Sequence, residues 1–174
     1  MNLETSTWQE VDAYLAESST IIVPIGSTEQ HGPTGLLGTD SITARKIAEA
    51  IGDRNGALVG PSINVGMAQH HLGFAGTISL RPSTLLHYIV DYVNSLAVHG
   101  FDRFYFLNGH GGNIATLTAA FSELYAARSF AGSPVHGDPG ANRPALNCVY
   151  QNWWAGSRVR RVSQQYFSGV EGSH

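Results

Sequence analysis

Apolar runs alternate with helical patterns along most of this chain. Residues 20–25 form a β-branched apolar run that ends at a glycine, and residues 101–107 form a second run. Runs of this length between turn signals are typical of buried strands. Weaker strand patterns occupy 57–65, where Pro61 interrupts the apolar residues, and 145–150. The pattern therefore predicts four strands, of which the second is broken or bent.

Segments with the apolar spacing of amphipathic helices lie between these runs. Their expected starts are at Thr7, at Asp40 or Ser41, at Pro82 and after Asn113. Asp40 or Ser41 would cap the second helix through its side-chain oxygen. Residues 153–174 are poorly periodic. Alternating strands and helices predict a single α/β domain over residues 1–174, with a mostly parallel sheet and helices on both faces.

Composition narrows the class of protein. The chain has 174 residues, of which 43% are hydrophobic, and this is enough for one core. A net charge of −3 provides no basic surface for a nucleic-acid partner. The charged fraction is only 13% and there are 20 glycines, so we expect a homo-oligomer with surface buried between subunits. A small basic cluster, Arg158, Arg160 and Arg161, is interpreted as part of a solvated or interface strand.

The sequence also bears on compartment and redox chemistry. Its first residues lack a basic segment followed by an apolar one, and no apolar run approaches the ~20 residues of a membrane span. We therefore expect a soluble cytoplasmic protein without a membrane partner. The single cysteine, Cys148, excludes an internal disulfide framework and is expected to be a buried small hydrophobe.

Ligand-type side chains follow directly after the first predicted strand. Glu29, His31 and Asp40 lie in a loop that glycines and prolines interrupt, and His110 lies in a glycine-rich turn after 101–107. Ligands of open parallel sheets gather beyond the carboxyl ends of the strands, so we expect these two loops to face each other. The mixed oxygen and nitrogen donors would suit Zn²⁺ or Mn²⁺, and Asp40 could bridge two ions.

Each of these residues has a simpler interpretation. Glu29 could be a surface carboxylate, His31 a turn residue and Asp40 only a helix cap. His110 could belong to a glycine-rich turn that binds an anion at the start of a helix. Spacing alone leaves these alternatives open.

Two separated motifs, with a supporting segment at 73–80, carry a resemblance to a known family. The motifs are Val23-Pro24-Ile25-Gly26-Ser27-Thr28-Glu29-Gln30-His31-Gly32-Pro33 followed by Gly38-Thr39-Asp40, and Asn108-Gly109-His110-Gly111-Gly112-Asn113. Together they resemble the creatininase family (creatinine amidohydrolase-like). The likeness covers residues 20–126 and resumes at 169–174.

The resemblance implies a three-layer α/β/α fold and a binuclear metal-dependent amidohydrolase. It implies two divalent ions, zinc or manganese with iron as a further option, and a bridging hydroxide that attacks the carbonyl of a cyclic or formamide-type small-molecule amide. Glu29 and His110 would hold one ion, His31 would hold the other and Asp40 would bridge them. The family also implies a homo-oligomer, commonly a hexamer.

The chain departs from the family pattern at two places. Creatininase itself has a glutamate ligand at the position of Gly112, which has no side chain to offer. In other branches a later glutamate follows a histidine that matches His174, so we expect a chain truncated within that motif. His174 would support the substrate or the tetrahedral intermediate. The alternative to an active enzyme is a catalytically inert metal- or anion-binding module.

Two further residues are candidates for the substrate pocket. His71 follows His70 in a glycine-rich loop, and one of the pair would line the pocket. A loop histidine with no role in the site is the simpler interpretation of each. Trp154 lies in a region where creatininase encloses its substrate with tryptophan. Packing in a core or an interface is the simpler interpretation of Trp154. Creatinine itself is disfavoured as the substrate because Gly112 replaces a creatininase ligand.

Overall fold

A four-stranded parallel sheet organises the structure, a computed structural model that describes residues 1–131 and 145–166. The strand order is β2-β1-β3-β4, and every neighbouring pair is parallel. The strands are β1 (Thr20–Ile25), β2 (Leu58–Val59), β3 (Arg103–Asn108) and β4 (Asn147–Asn152). The predicted broken second strand is present as β2 and a separate bridge between Ile63 and Ile25.

Helices connect the strands and cover both faces of the sheet. They are α1 (Trp8–Leu15), α2 (Thr39–Asn55), α3 (Pro82–Ala97), α4 (Ile114–Ala131) and α5 (Ser157–Tyr166). Residues of α3 and α4 pack on one face of the sheet, whereas Ala48 of α2 packs on the other face. The predicted three-layer α/β/α fold with a parallel sheet is therefore confirmed.

Strand alternation explains the two apolar layers. Ile21 and Val23 point to the α3 and α4 side, while Ile22 between them points to the α2 side. On β3, Phe104 and Phe106 both point to the α3 and α4 side and are almost completely buried. Burial of a side chain of this size contributes about 2–3 kcal/mol each, so the central pair β1 and β3 is firmly held.

Two local predictions from the sequence are wrong. The cap of α2 is Gly38, with no side-chain cap hydrogen bond, so neither Asp40 nor Ser41 caps this helix. The segment with the three arginines is the helix α5 rather than a strand, and Val159, Val162 and Tyr166 recur on it at helical spacing.

The strand order creates a crevice at the carboxyl end of the sheet. The chain leaves β1 through α2 to reach β2 on one side, and it then crosses back through α3 to β3 on the other side. The connections after β1 and after β3 therefore run to opposite sides of the sheet, and α/β sheets bind ligands in the crevice between such connections. Among residues 1–131 and 145–166, no helix is both long and apolar enough to traverse a lipid bilayer.

Candidate metal centre

The loops after β1 and β3 place four ligand-type side chains together. Glu29 and His31 follow β1, Asp40 lies in the first turn of α2, and His110 follows β3. Glu29, Asp40 and His110 are buried, with exposed fractions of 3%, 8% and 6%. A carboxylate in the first turn of a helix is favoured by the helix dipole, which partly offsets the burial of Asp40.

The two carboxylate oxygens of Asp40 face two different imidazoles. Oδ1 lies 2.9 Å from His31 Nε2, and Oδ2 lies 2.9 Å from His110 Nδ1. The same His110 nitrogen lies 3.3 Å from Oε1 of Glu29. Glu29, His31 and Asp40 each offer a ligand atom within 4.8 Å of the others. Two atoms that bind one zinc ion at about 2.1 Å with a tetrahedral angle are about 3.4 Å apart, so this donor set fits a metal ion.

Backbone carbonyls determine which nitrogen of each imidazole carries the proton. His31 Nδ1 lies 3.0 Å from the carbonyl oxygen of Glu29, and His110 Nε2 lies 3.0 Å from that of Met67. A carbonyl oxygen only accepts, so these two nitrogens donate. In the neutral rings the other nitrogens are then lone pairs, and these are the atoms that face Asp40. A second ring proton or a metal ion at these positions would pair each of these nitrogens with Asp40.

The electrostatics of His110 lead to the same conclusion. Burial lowers the pKa of this imidazole, but hydrogen bonding to Asp40 and Met67 and the negative charges of Glu29 and Asp40 outweigh burial and raise the pKa above its usual value. Asp40 Oδ2 is also buried without a hydrogen-bond partner. Buried polar atoms are rarely left in this state. The site therefore favours positive charge, which a metal ion would supply.

Hydrogen bonds hold the ligand side chains in place. Ser27, which is fully buried, donates from Oγ to Glu29 Oε2 at 3.0 Å. Asn108 accepts the amide of His110 on its Oδ1 and donates from Nδ2 to the carbonyl of the same residue. Asn113 donates to the carbonyl of Gly26 and accepts from the amide of Met67, so it joins three loops. Such outer contacts orient metal ligands.

Glycine is required in the turn that carries His110. A Cβ atom on Gly109 would collide with the backbone of Asp40, and one on Gly112 would collide with His110 Nε2 and the Met67 carbonyl. The space that a larger residue at 112 would need is filled by the hydrogen bond that orients His110. This turn therefore offers His110 as a ligand, while position 112 contributes none.

The anion-binding interpretation of this turn finds little support in the structure. The amide of Gly109 donates to Ile25, that of His110 donates to Asn108 Oδ1, and that of Asn113 donates to the carbonyl of His110. These three amides point into the protein, so they are not available to a phosphate or sulfate.

Two histidines from another loop join the cluster. His70 and His71 lie in a 3₁₀ turn, Gln69–His71, between β2 and α3. Nδ1 of His71 lies 3.2 Å from Glu29 Oε1, and the His71 side chain is 22% exposed. The ring of His70 lies 4.1 Å from that of His71 and nearly parallel to that of His110. His71, predicted to bind substrate, is therefore beside Glu29, and its role stays a prediction.

The remaining sequence candidates are not placed at the cluster. Trp154 follows β4 at the same edge of the sheet, and its ring packs edge-on against Trp153, with 6.1 Å between ring centres. Its substrate role stays a prediction. His174, the predicted catalytic histidine, lies outside the described residues.

Sequence reasoning missed several supporting residues. Ser27, Asn108 and Asn113 were inside the quoted motifs, but polar residues in glycine-rich loops are common and gave no signal of their own. The carbonyl of Met67 has no sequence signature. The signal for His70 was present in the histidine pair, but only the fold brings that pair to Glu29.

Comparison with known proteins supports the family suggested by the motifs. A family model described as "Creatininase: Creatinine amidohydrolase" matches residues 4–174. The mycofactocin precursor peptide peptidase of Mycobacterium ulcerans (strain Agy99) is 37% identical over 134 residues, covering 72% of this chain and 53% of that protein. The creatinine amidohydrolase of Pseudomonas putida is 34% identical over 110 residues, covering 60% of this chain and 42% of that protein.

The fold gives an independent comparison. A solved structure titled "Creatininase Mn" superimposes with a TM-score of 0.83 at 25% identity, covering 98% of this chain and 65% of that chain. The chain spans about half the length of the curated relatives it matches. The family model matches nearly the whole chain, and the motif residues meet at one edge of the sheet, so the chain belongs to the creatininase family.

Proposed function

We propose that this protein is a metal-dependent amidohydrolase that cleaves the C–N bond of an amide. The observation that carries the proposal is the arrangement of Asp40, whose two oxygens face ring nitrogens of two imidazoles that backbone carbonyls hold in place. Asp40 Oδ2 is buried without a well-directed hydrogen bond, and a bound cation would pair with it.

The geometry supports two divalent ions, zinc or manganese. Glu29 and His110 would hold one ion, His31 would hold the other, and Asp40 would bridge them, because its two oxygens already face separate imidazoles. Such ions, when bound, lower the pKa of water and polarise a carbonyl. The solved relative titled "Creatininase Mn" is consistent with manganese as one candidate.

The protein side chains would supply orientation and access. Ser27 and the carbonyls of Glu29 and Met67 hold the donors in one arrangement, which limits the reorganisation needed during the reaction. His31 and His71 are the partly exposed members, so substrate would enter from their side. Hydrolysis adds water across the C–N bond and gives a carboxylate and an amine, whose nitrogen must gain a proton. His174 remains our proposal for a residue that supports this step.

The substrate class follows from the relatives only in general terms. One relative is named for a peptide and another for creatinine, and both names describe hydrolysis of an amide-type bond. We favour a small amide or peptide over creatinine, since position 112 is a glycine that the turn requires. A homo-oligomer, a hexamer by family resemblance, is also proposed, because the charged fraction is only 13% and there are 20 glycines.

Metal analysis combined with substitution tests the proposal. The purified protein is expected to contain zinc or manganese, and chelation is expected to abolish hydrolysis of a panel of cyclic amides, formamides and short peptides. His31→Ala and Asp40→Ala should each lose metal, whereas the exposed His99→Ala should not. Absence of any bound divalent metal in the parent, or full retention in both ligand variants, would end this proposal. Light scattering of the same samples measures the oligomeric state.

A further inference from the structure

A second donor group adjoins the one around Asp40. It consists of Glu29, His70 and His71, whose ligand atoms lie within 4.8 Å of one another. The two groups share Glu29 but draw their other members from different loops. Two imidazoles and one carboxylate form a donor set that Zn²⁺, Mn²⁺ and Fe²⁺ all accept.

Oε1 of Glu29 stands between the two groups. It lies 3.3 Å from His110 Nδ1 and 3.2 Å from His71 Nδ1. The other oxygen, Oε2, accepts from Ser27 and is already satisfied. The free face of this carboxylate is therefore presented to both imidazoles, much as Asp40 presents its oxygens to His31 and His110.

No hydrogen bond accounts for the position of the inward-facing nitrogen of His71. Nδ1 of His71 is buried without a hydrogen-bond partner, although Glu29 Oε1 is near enough for an ion pair. His110 Nδ1 and Asp40 Oδ2 are related in the same way: they lie close together but are not aligned for a hydrogen bond. Atoms that share a coordinated ion approach each other in this way without pointing at each other.

The turn that carries the histidines is anchored on both sides. The amide of Ala68 donates to Ser79 Oγ at 2.8 Å, and Gln69 donates from Nε2 to the carbonyl of Leu80 at 2.9 Å. The amide of His71 closes the 3₁₀ turn by donating to Ala68. These bonds hold the pair near Glu29 before any ligand arrives, and such preorganisation is what a metal site needs.

We propose that Glu29, His70 and His71 form a divalent-cation position in addition to the ions proposed around Asp40. The inference rests on the proposed function for the role of Glu29, and it assigns His70 and His71 as the further ligands of this ion. The position is exposed on the His70 side, so a water molecule or a substrate atom has access to the ion. Zn²⁺ and Mn²⁺ are the cations expected from the donor set.

The number of metal ions bound per full chain tests this additional cation position directly. After equilibration with Zn²⁺ or Mn²⁺ and removal of free metal, the double variant H70A/H71A is expected to hold one equivalent per chain fewer than the parent. Each single variant is expected to bind Zn²⁺ at this position at least tenfold more weakly. The double variant H87A/H99A, which removes two exposed histidines elsewhere, should match the parent.

Spectroscopy separates the two positions. Co²⁺ titration of D40N should retain the absorption of the ion held by Glu29, His70 and His71, while titration of H70A/H71A should lose that component alone. The conservative pair H70Q/H71Q is measured alongside, with thermal melting in chelator to confirm folding.

The outcomes distinguish this inference from the proposed function. Parental stoichiometry in both His70/His71 double variants overturns the additional position and leaves the amidohydrolase proposal standing. Loss of every ion in those variants shows a single shared site and also overturns it. Absence of divalent metal in the parent overturns both proposals.

Discussion

Buried polar groups are paired in different ways at the two ends of the central strands. At the amino end, the hydroxyl of Tyr14 donates to the carbonyl of Thr20 at 2.6 Å and accepts the amide of Leu58 at 3.2 Å. Ser19 of the same edge donates to Asp102. Every one of these contacts pairs a donor with an acceptor, so this edge contributes to stability without any ligand.

At the carboxyl end, two carboxylates share a small buried space with three imidazoles. Asp40 faces ring nitrogens of His31 and His110, and Glu29 meets His71 without a hydrogen bond between them. Burying two carboxylates close together costs free energy unless protons or metal ions balance their charge. The amino end therefore supports the sheet, whereas the carboxyl end is arranged for a cation.

Substitution of Asp40 should have the largest effect. Asp40→Asn replaces one carboxylate oxygen with a donor, so metal affinity should fall by more than about 100-fold, the upper end of what losing a supporting contact costs. The same change removes one of two neighbouring buried carboxylate charges in the metal-free protein. We therefore expect the metal-free variant to be about 0.5–2 kcal/mol more stable than the metal-free parent.

Calorimetric metal titration and thermal melting in chelator measure the two effects of Asp40→Asn. A metal-free variant that melts below the metal-free parent would contradict our account of the carboxyl end. Asp91→Asn, an exposed position on α3, serves as the control for loss of one negative charge.

Substitution of Asn113 should affect both stability and metal binding. Asn113→Ala leaves the Gly26 carbonyl and the Met67 amide without their partner, which should cost about 2–4 kcal/mol of unfolding free energy. Because Met67 orients His110, metal affinity should also fall by about 10–100-fold. Urea unfolding and metal titration measure these, with the exposed Asn94→Ala as the control. Unchanged metal affinity in a folded Asn113→Ala would show that Met67 does not position the ligand.

Substitution of Tyr14 should separate the two ends cleanly. Tyr14→Phe removes the hydroxyl that joins α1, β1 and β2, so unfolding free energy should fall by about 1–3 kcal/mol. Bound metal and hydrolysis should be unchanged, because no cluster residue depends on this hydroxyl. Urea unfolding and metal analysis check this, and Tyr88→Phe on the exposed face of α3 is the matched control. Loss of metal in Tyr14→Phe would break the separation.

The smallest effect is expected at Cys148. Burial raises the pKa of this thiol to about 11 despite the opposing contribution of Tyr125. At pH 8 about one thiol in a thousand is then ionised, so reaction with a disulfide reagent should be very slow in the folded protein and fast in urea. Rapid labelling of the native protein would contradict the burial.

The same pKa shift of Cys148 gives a sign for the pH dependence of stability. The folded-state pKa lies above that of the unfolded thiol, so its contribution to stability is fully present below the unfolded pKa. That contribution is lost as the pH rises toward about 11. Urea unfolding at pH 8 and pH 10, in the parent and in Cys148→Ala, isolates it.

Much of the fold and of the site could be predicted from local patterns. The runs at β1 and β3, and the start of α3 at Pro82, depend on neighbouring residues and were predicted correctly. The prediction that both loops would lie at one edge follows from parallel strands alone. Gly109 and Gly112 stand in the quoted motif, but the need for glycine at these positions comes from the backbones of Asp40 and Met67, which are distant in sequence.

The errors share one cause. Asp40 was a candidate cap because Asp favours helix starts, but a carboxylate cannot both cap α2 and face His31 and His110, and the contacts of the site prevail. The helix α5 has only Val159, Val162 and Tyr166 at helical spacing among charged and polar residues, and these were not recognised as a helical period. In each case a preference that is weak locally was overridden or left undecided by the rest of the molecule.

The sequence by itself determined which residues could bind metal and which strands would carry them, because those features are set by residue type and by spacing along the chain. Only the tertiary structure decided how the donors face one another. The carbonyls of Glu29 and Met67 select the proton-bearing nitrogens, and the loop of His70 and His71 reaches Glu29 from about forty residues away. Such contacts depend on distances between separate segments, which no local pattern encodes.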